Sequence, residues 1–148
     1  MLIVIGAAIG IGAAMEKSGA AKAIANGLLT LAGDNPVMAL AAVYLATMLC
    51  TELITNNAAA VLMFHIAIDT AALLPDGNGG IGVSATPFVM AIMIAASASF
   101  LTPFGYQTNT MVYGVGGYRA GDYLKFGLPL SLIVFVVAMI VIPNVWGF

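Results

Sequence analysis

Long apolar stretches alternate along this chain with short polar interruptions, and the spacing of the two outlines its elements. Residues 2–15 are apolar and glycine-rich. Fourteen helical residues rise only about 21 Å, against a hydrocarbon core of about 30 Å, so 1–15 reads as a partial transmembrane helix, either one that dips partway or, the favoured expectation, the end of a helix in a longer protein. No charged n-region precedes the stretch and no small-residue cleavage pattern follows, which argues against a signal peptide. Over 16–36, Ala20, Ala23, Ile24, Leu28 and Leu31 recur at helical spacing while Lys17, Lys22 and Asn26 fall elsewhere. That pattern predicts an interfacial amphipathic helix closed by the Gly33-Asp34-Asn35-Pro36 turn.

Residues 37–50 and 58–74 are mostly apolar, and between them lie Thr51, Glu52, Thr55, Asn56 and Asn57. Two apolar arms around a polar centre predict a re-entrant hairpin over 37–74, its tip near the bilayer midplane. Residues 75–86 read as a loop by their Gly, Pro and Asn content. A second apolar run, 87–101, meets the polar sequence TPFGYQTN at 102–109. Pro103 removes a backbone donor and Gly105 permits unusual torsions, which predicts a broken transmembrane helix over 87–118. Arg119, Asp122 and Lys125 mark a charged turn at 116–125, and 126–145 is the last transmembrane helix, rimmed by Trp146 and Phe148. The predicted fold class is an all-α polytopic membrane protein.

Composition fixes the solvent. Of 148 residues, 62% are apolar and 7% charged, against roughly a quarter charged in a soluble domain. Mean hydropathy is +1.09. A free-standing soluble fold is excluded, and a net charge of −2 gives no electrostatic basis for binding nucleic acid. The single cysteine, Cys50, supports neither a disulfide framework nor a metal cluster.

Polar groups at mid-membrane depth are costly, and non-helical backbone survives there only when buried in protein or lining a cavity. A kink or a polar helix contact would explain one such interruption. Two together, rich in Asn and Thr, match the binding-site pattern of secondary transporters, where half-helix N-termini face an anion and freed carbonyls ligate a cation. Neither interruption contains Lys or Arg. An oxyanion would be held by amides, hydroxyls and backbone N–H groups, its charge offset by co-transported cations. Glu52 reads as a hydrogen-bonded carboxylate, with a proton relay as the alternative, and His65 as a hydrogen-bonded histidine. No Ser/His/Asp, paired-Asp or His-Glu metal constellation supports an intramembrane enzyme. An accessory membrane subunit or scaffold and a proton-coupled anion transporter remain as alternatives.

The segment TELITNNAAAVLMF (51–64) resembles the hairpin signature of divalent anion:sodium symporters, whose tip carries Ser-Asn-Thr. AASASFLTPFGYQTNTMVYGVGGYRAGDYLKFGLPL (95–130) resembles their broken penultimate helix and the start of the last one. TPFGYQTN together with GGYR is most similar to the permease branch that also carries TrkA-C domains, some of which are sulfate transporters. The resemblance covers about residues 1–145. It implies part of the second inverted repeat of an elevator-type transporter, with the N-terminal repeat missing and the full-length protein a homodimer. It implies movement of a divalent anion, sulfate or a dicarboxylate, coupled to sodium, with no cofactor beyond that coupling ion. Thr55, Asn56 and Asn57 match the Ser-Asn-Thr positions that contact substrate, and Thr108 and Asn109 fall on the substrate side. Thr51, Ile54, Asn56, Gly105 and Gln107 match the sodium shell. Asn57 stands where the family has Thr, an amide in place of a hydroxyl. The dicarboxylate transporters often have prolines at the positions of Gln107 and Thr108, so their absence favours a smaller oxyanion. Lys and Arg divide two against two between the faces, which leaves orientation to the resemblance: the inner membrane, with 116–125 cytoplasmic and the C-terminus outside.

Overall fold

The structure, a computed structural model, describes residues 6–7, 10–11, 14, 17–33, 35–75 and 80–147. The partial helix expected over 1–15 lies largely outside the described residues, as do Asp34 of the first turn and Phe148 of the aromatic rim. Six helices follow in order: α1 (Ala20–Ala32), α2 (Pro36–Leu53), α3 (Asn56–Leu73), α4 (Thr86–Ser97), α5 (Gln107–Gly116) and α6 (Ala120–Trp146). Among the described residues the fold is all-helical apart from an isolated bridge between Pro75 and Ile81. Among the described residues three helices, α2, α3 and α6, are long and apolar enough to cross a membrane.

Local chemistry sets the helix ends. Gly19 and Gly33 flank α1 with φ of 73° and 67°, a left-handed region that glycine enters without a Cβ penalty. The Gly33 N–H donates to the Leu29 carbonyl at 2.7 Å. Asn35 caps α2 by accepting from the Val37 N–H at 2.9 Å, and Pro36 takes the first helical position, where its missing donor costs nothing. At α6, the Asp122 carboxylate accepts the Arg119 N–H at 2.9 Å, so the helix starts at Ala120. Much of the charged 116–125 segment is therefore helical, and only 117–119 lie outside α5 and α6.

The short helix α4 is the hub. It packs on α2 and α3, and α6 lies across both α4 and α2, while α1 rests on α3 and α2. The shared core holds Leu40, Val43 and Tyr44 of α2, Met63 and Ile66 of α3, Phe88 and Ile92 of α4, and Ile142 of α6. The Tyr44 and Phe135 rings meet edge to face, centroids 5.3 Å apart. On α1 the residues turned inward are Ala21 and Ala25, fully buried, whereas Ala23 is exposed and Ile24 is 44% exposed. The stripe expected at Ala20, Ala23 and Ile24 is thus rotated. Small alanines let α1 approach its neighbours closely; Leu28 and Leu29 pack partly buried against the core, while Ile24 turns away. A membrane removes the polar penalty that would have forced it inward. Helix α5 has no buried residue, and its backbone stays clear of the other described helices.

Candidate functional site

The two polar interruptions are built differently. At the first, only Ile54 and Thr55 separate α2 from α3. The Ile54 N–H closes back on the Cys50 carbonyl at 3.0 Å. Thr55 caps α3, its hydroxyl oxygen accepting from the Ala58 N–H at 3.4 Å and its carbonyl from the Ala59 N–H at 2.9 Å. At the second, the backbone leaves α4 after Ser97 and does not resume as a helix until Gln107. The opening begins several residues before the TPFGYQTN segment predicted it, and Gln107, Thr108 and Asn109 sit in the first turn of α5. Tyr106 gives that helix no side-chain cap, so the leading N–H groups of α5 have no intrahelical acceptor.

Residues Thr51 and Glu52, at the end of α2, tie the two regions together. The Glu52 carboxylate is 7% exposed. One oxygen accepts the Leu101 N–H at 2.9 Å and the other the Thr102 N–H at 2.8 Å, while the Glu52 carbonyl accepts the Thr102 hydroxyl at 3.3 Å. The fully buried Thr51 hydroxyl lies 2.7 Å from the Ala96 carbonyl and 2.9 Å from Asn56 Oδ1, and shares its one proton between them. The Ser99 hydroxyl donates to the Thr51 carbonyl at 3.4 Å. Glu52 is thus hydrogen-bonded to backbone, as expected, and its two bonds to adjacent N–H groups hold the non-helical loop.

Gly105 fits this seam by size. A Cβ there would collide with Ser99 Oγ and lie 3.1 Å from Glu52 Oε2. Its φ is not positive, so the expectation that it serves an unusual torsion is corrected: close approach is what requires glycine. Asn109 closes the far side. Its amide nitrogen donates to the Ser99 and Thr102 carbonyls at 3.1 and 3.3 Å, which engages both amide protons. The Thr110 hydroxyl donates to the Pro103 carbonyl at 2.7 Å.

The expected site residues therefore separate into two sets. Thr51 and Gly105 are buried, Asn56 and Asn109 part-buried, and all four belong to the bonded seam or touch it. Ile54, Thr55, Asn57, Gln107 and Thr108 are exposed at the two helix starts and their caps. Sequence reasoning missed Ser99, Tyr123 and Gly127. The Tyr123 hydroxyl donates to the Asn109 carbonyl at 2.9 Å, and a Cβ at Gly127 would run into the Phe100 carbonyl. The signal for Ser99 was the small-residue run just before Thr102; nothing local marked Tyr123 or Gly127. No group of three His, Cys, Asp or Glu forms among the described residues. A cation here would be held by carbonyl and hydroxyl oxygens, the ligands a hard ion prefers.

Residues 1–147 match the citrate transporter family model (CitMHS). An uncharacterized transporter of Synechocystis sp. is 41% identical over 94% of this chain and 22% of its own length. Sodium/sulfate cotransporter 1 of Chlamydomonas reinhardtii is 38% identical over 97% of this chain and 16% of its own length. Sodium/sulfate cotransporter 2 of the same organism is 38% identical over 92% and 15%. The chain thus spans between 15% and 22% of the length of these relatives.

Proposed function

This chain belongs to the citrate transporter family, and we propose that it supplies one half of the binding site of a secondary active transporter that moves a small divalent oxyanion with sodium. A family of transporters leaves no place for the enzyme alternative. The apolar helices and the relatives make it a multi-pass membrane protein.

The observation that carries the reading is the joining of the two helix interruptions through Thr51 and Glu52. That seam ties the C-terminal ends of α2 and α4 to the loop that leads into α5, with the start of α3 only two residues from the end of α2. Helix starts carry partial positive charge and open N–H groups, and helix ends carry open carbonyls. In this reading the anion is held by the leading N–H groups of α3 and α5 with the polar groups of Thr55, Asn56, Asn57 and Thr108. Asn109, its amide protons engaged, shapes the pocket rather than donating to the anion. Sodium takes carbonyl and hydroxyl oxygens around Thr51, Ile54, Asn56, Gly105 and Gln107. Sulfate is favoured because no basic side chain lies in either interruption and because two relatives are named sodium/sulfate cotransporters. In the same reading the chain is part of the second of two inverted repeats of a homodimeric elevator-type transporter in the inner membrane. Residues 116–125 then face the cytoplasm.

The test is uptake of labelled sulfate by the full-length protein in liposomes under an inward sodium gradient. Accumulation should require sodium and collapse when potassium replaces it at constant pH. Asn56→Ala should weaken the sodium and sulfate dependences together, because the amide is placed in both shells. Sodium-independent uptake that follows a proton gradient would replace sodium by protons, and absence of uptake for every oxyanion tried would end the transporter reading.

A further inference from the structure

Helix α5 has few tethers. It buries no residue and its backbone stays clear of the other described helices, yet its first turn must present Gln107 and Thr108 at a fixed angle if it is to meet a ligand. Three side chains tie that turn down. Asn109 and Thr110 bind carbonyls of the loop that precedes them, so they fix the turn to that loop and not to another helix. The third side chain comes from outside: the Tyr123 hydroxyl, on α6, donates to the Asn109 carbonyl at 2.9 Å. That carbonyl is also the ordinary helical acceptor for the N–H four residues on, and it has two lone pairs, so both donors can be served.

Helix α6 is itself seated against the same loop. Gly127 lies one turn after Tyr123, so the two share a helix face. A Cβ at Gly127 would strike the Phe100 carbonyl. The close approach at Gly127 sets the distance between α6 and the loop, and Tyr123 reaches from that fixed base to the start of α5. Its ring is held by Tyr113 and Tyr118, with centroids 6.2 and 6.3 Å away, which limits its rotamers without involving the hydroxyl.

We propose that Tyr123 is a positioning residue for the anion site: from the last helix, its hydroxyl fixes the first turn of α5, and with it the N–H groups and side chains of Gln107 and Thr108. The proposal rests on the transporter reading above and adds to it a determinant outside both polar interruptions. Removing the hydroxyl loosens a donor array without removing any group that touches the anion. The cost therefore falls on binding.

The experiment compares Tyr123→Phe with Tyr118→Phe in the full-length protein, using sodium-driven sulfate uptake in liposomes and thermal unfolding in detergent. Both variants keep the ring cluster. Tyr123→Phe should raise the KM for sulfate about fivefold, the size of one net hydrogen bond. Its maximal rate and unfolding temperature should stay near the parent's. Amide exchange across residues 106–110 should rise in the same variant, and Tyr118→Phe should match the parent throughout. A parent-like KM in Tyr123→Phe overturns the proposal and leaves the transporter reading intact. So does a fall in rate that merely tracks a fall in unfolding temperature, which is what a structural tyrosine would give. No uptake of any oxyanion by the parent removes the reading beneath and this proposal with it.

Discussion

The two helix interruptions solve the same problem in opposite ways. Between α2 and α3 the chain turns through Ile54 and Thr55 and supplies its own terminating bonds, from the Ile54 N–H to the Cys50 carbonyl and from the Ala58 N–H to Thr55. Between α4 and α5, residues 98–106 are non-helical, and a loop of that length in an apolar setting cannot leave its donors unpaired. Its Leu101 and Thr102 N–H groups are taken by Glu52, a residue of the other interruption. The short turn closes its own N–H groups, whereas the long loop takes Glu52 for two of its own and returns only the Ser99 and Thr102 hydroxyls to the Thr51 and Glu52 carbonyls. A single carboxylate at 7% exposure stands in for the cap that the long loop lacks, which makes the two regions one unit with an asymmetric dependence.

That dependence is most directly broken at Glu52. Glu52→Ala leaves two part-buried N–H groups without acceptors, at about 1–3 kcal/mol each, so the protein should lose about 2–6 kcal/mol against unfolding in detergent. Amide exchange should accelerate at Leu101 and Thr102 and change little at Ala58 and Ala59. Glu52→Gln keeps one acceptor oxygen but turns an NH2 group towards the other N–H, and should fall between the parent and Ala. Equal loosening of both interruptions would mean that the turn leans on the loop as much as the loop on the turn.

Gly105→Ala tests the seam by crowding it. The new methyl group meets Ser99 Oγ and the Glu52 carboxylate, and overpacking of this kind costs about 1–3 kcal/mol. A second substitution separates crowding from torsion. In Ser99→Ala/Gly105→Ala the colliding hydroxyl is gone, so much of the loss should return. If the double variant is no better than the single one, backbone freedom rather than space is what the position needs.

Much of this was legible in the residues themselves. Apolar runs broken by polar groups marked both interruptions, and the pairing of TELITNN with TPFGYQTN pointed to one shared site. The extent of the second opening was not legible. Ala98, Ser99, Phe100 and Leu101 suit a helix by composition, and they leave it because Glu52 offers a better acceptor from a distant part of the chain. Nor could periodicity choose the inward face of α1, since in a membrane Ile24 faces lipid as readily as protein. Tyr123 and Gly127 carry no local mark of their roles, which depend on α6 crossing the loop at Phe100 and Asn109.

The smallest expected effect belongs to the short turn. Thr55 contributes a cap bond of 3.4 Å to the Ala58 N–H, a long and therefore weak one. Replacing a threonine cap by alanine typically costs about 1 kcal/mol, and Thr55→Ala should cost no more than that in detergent unfolding. Because Thr55 is exposed and accepts no bond from the long loop, exchange at Leu101 and Thr102 should stay at the parent's rate. The functional loss should exceed the structural one, since the same hydroxyl is proposed to face the anion: sulfate KM should rise while the unfolding temperature barely moves. That pattern is the reverse of the one expected at Glu52, where stability falls first. Faster exchange at Leu101 in Thr55→Ala would show that the cap also steadies the loop, and the asymmetry between the two interruptions would be lost.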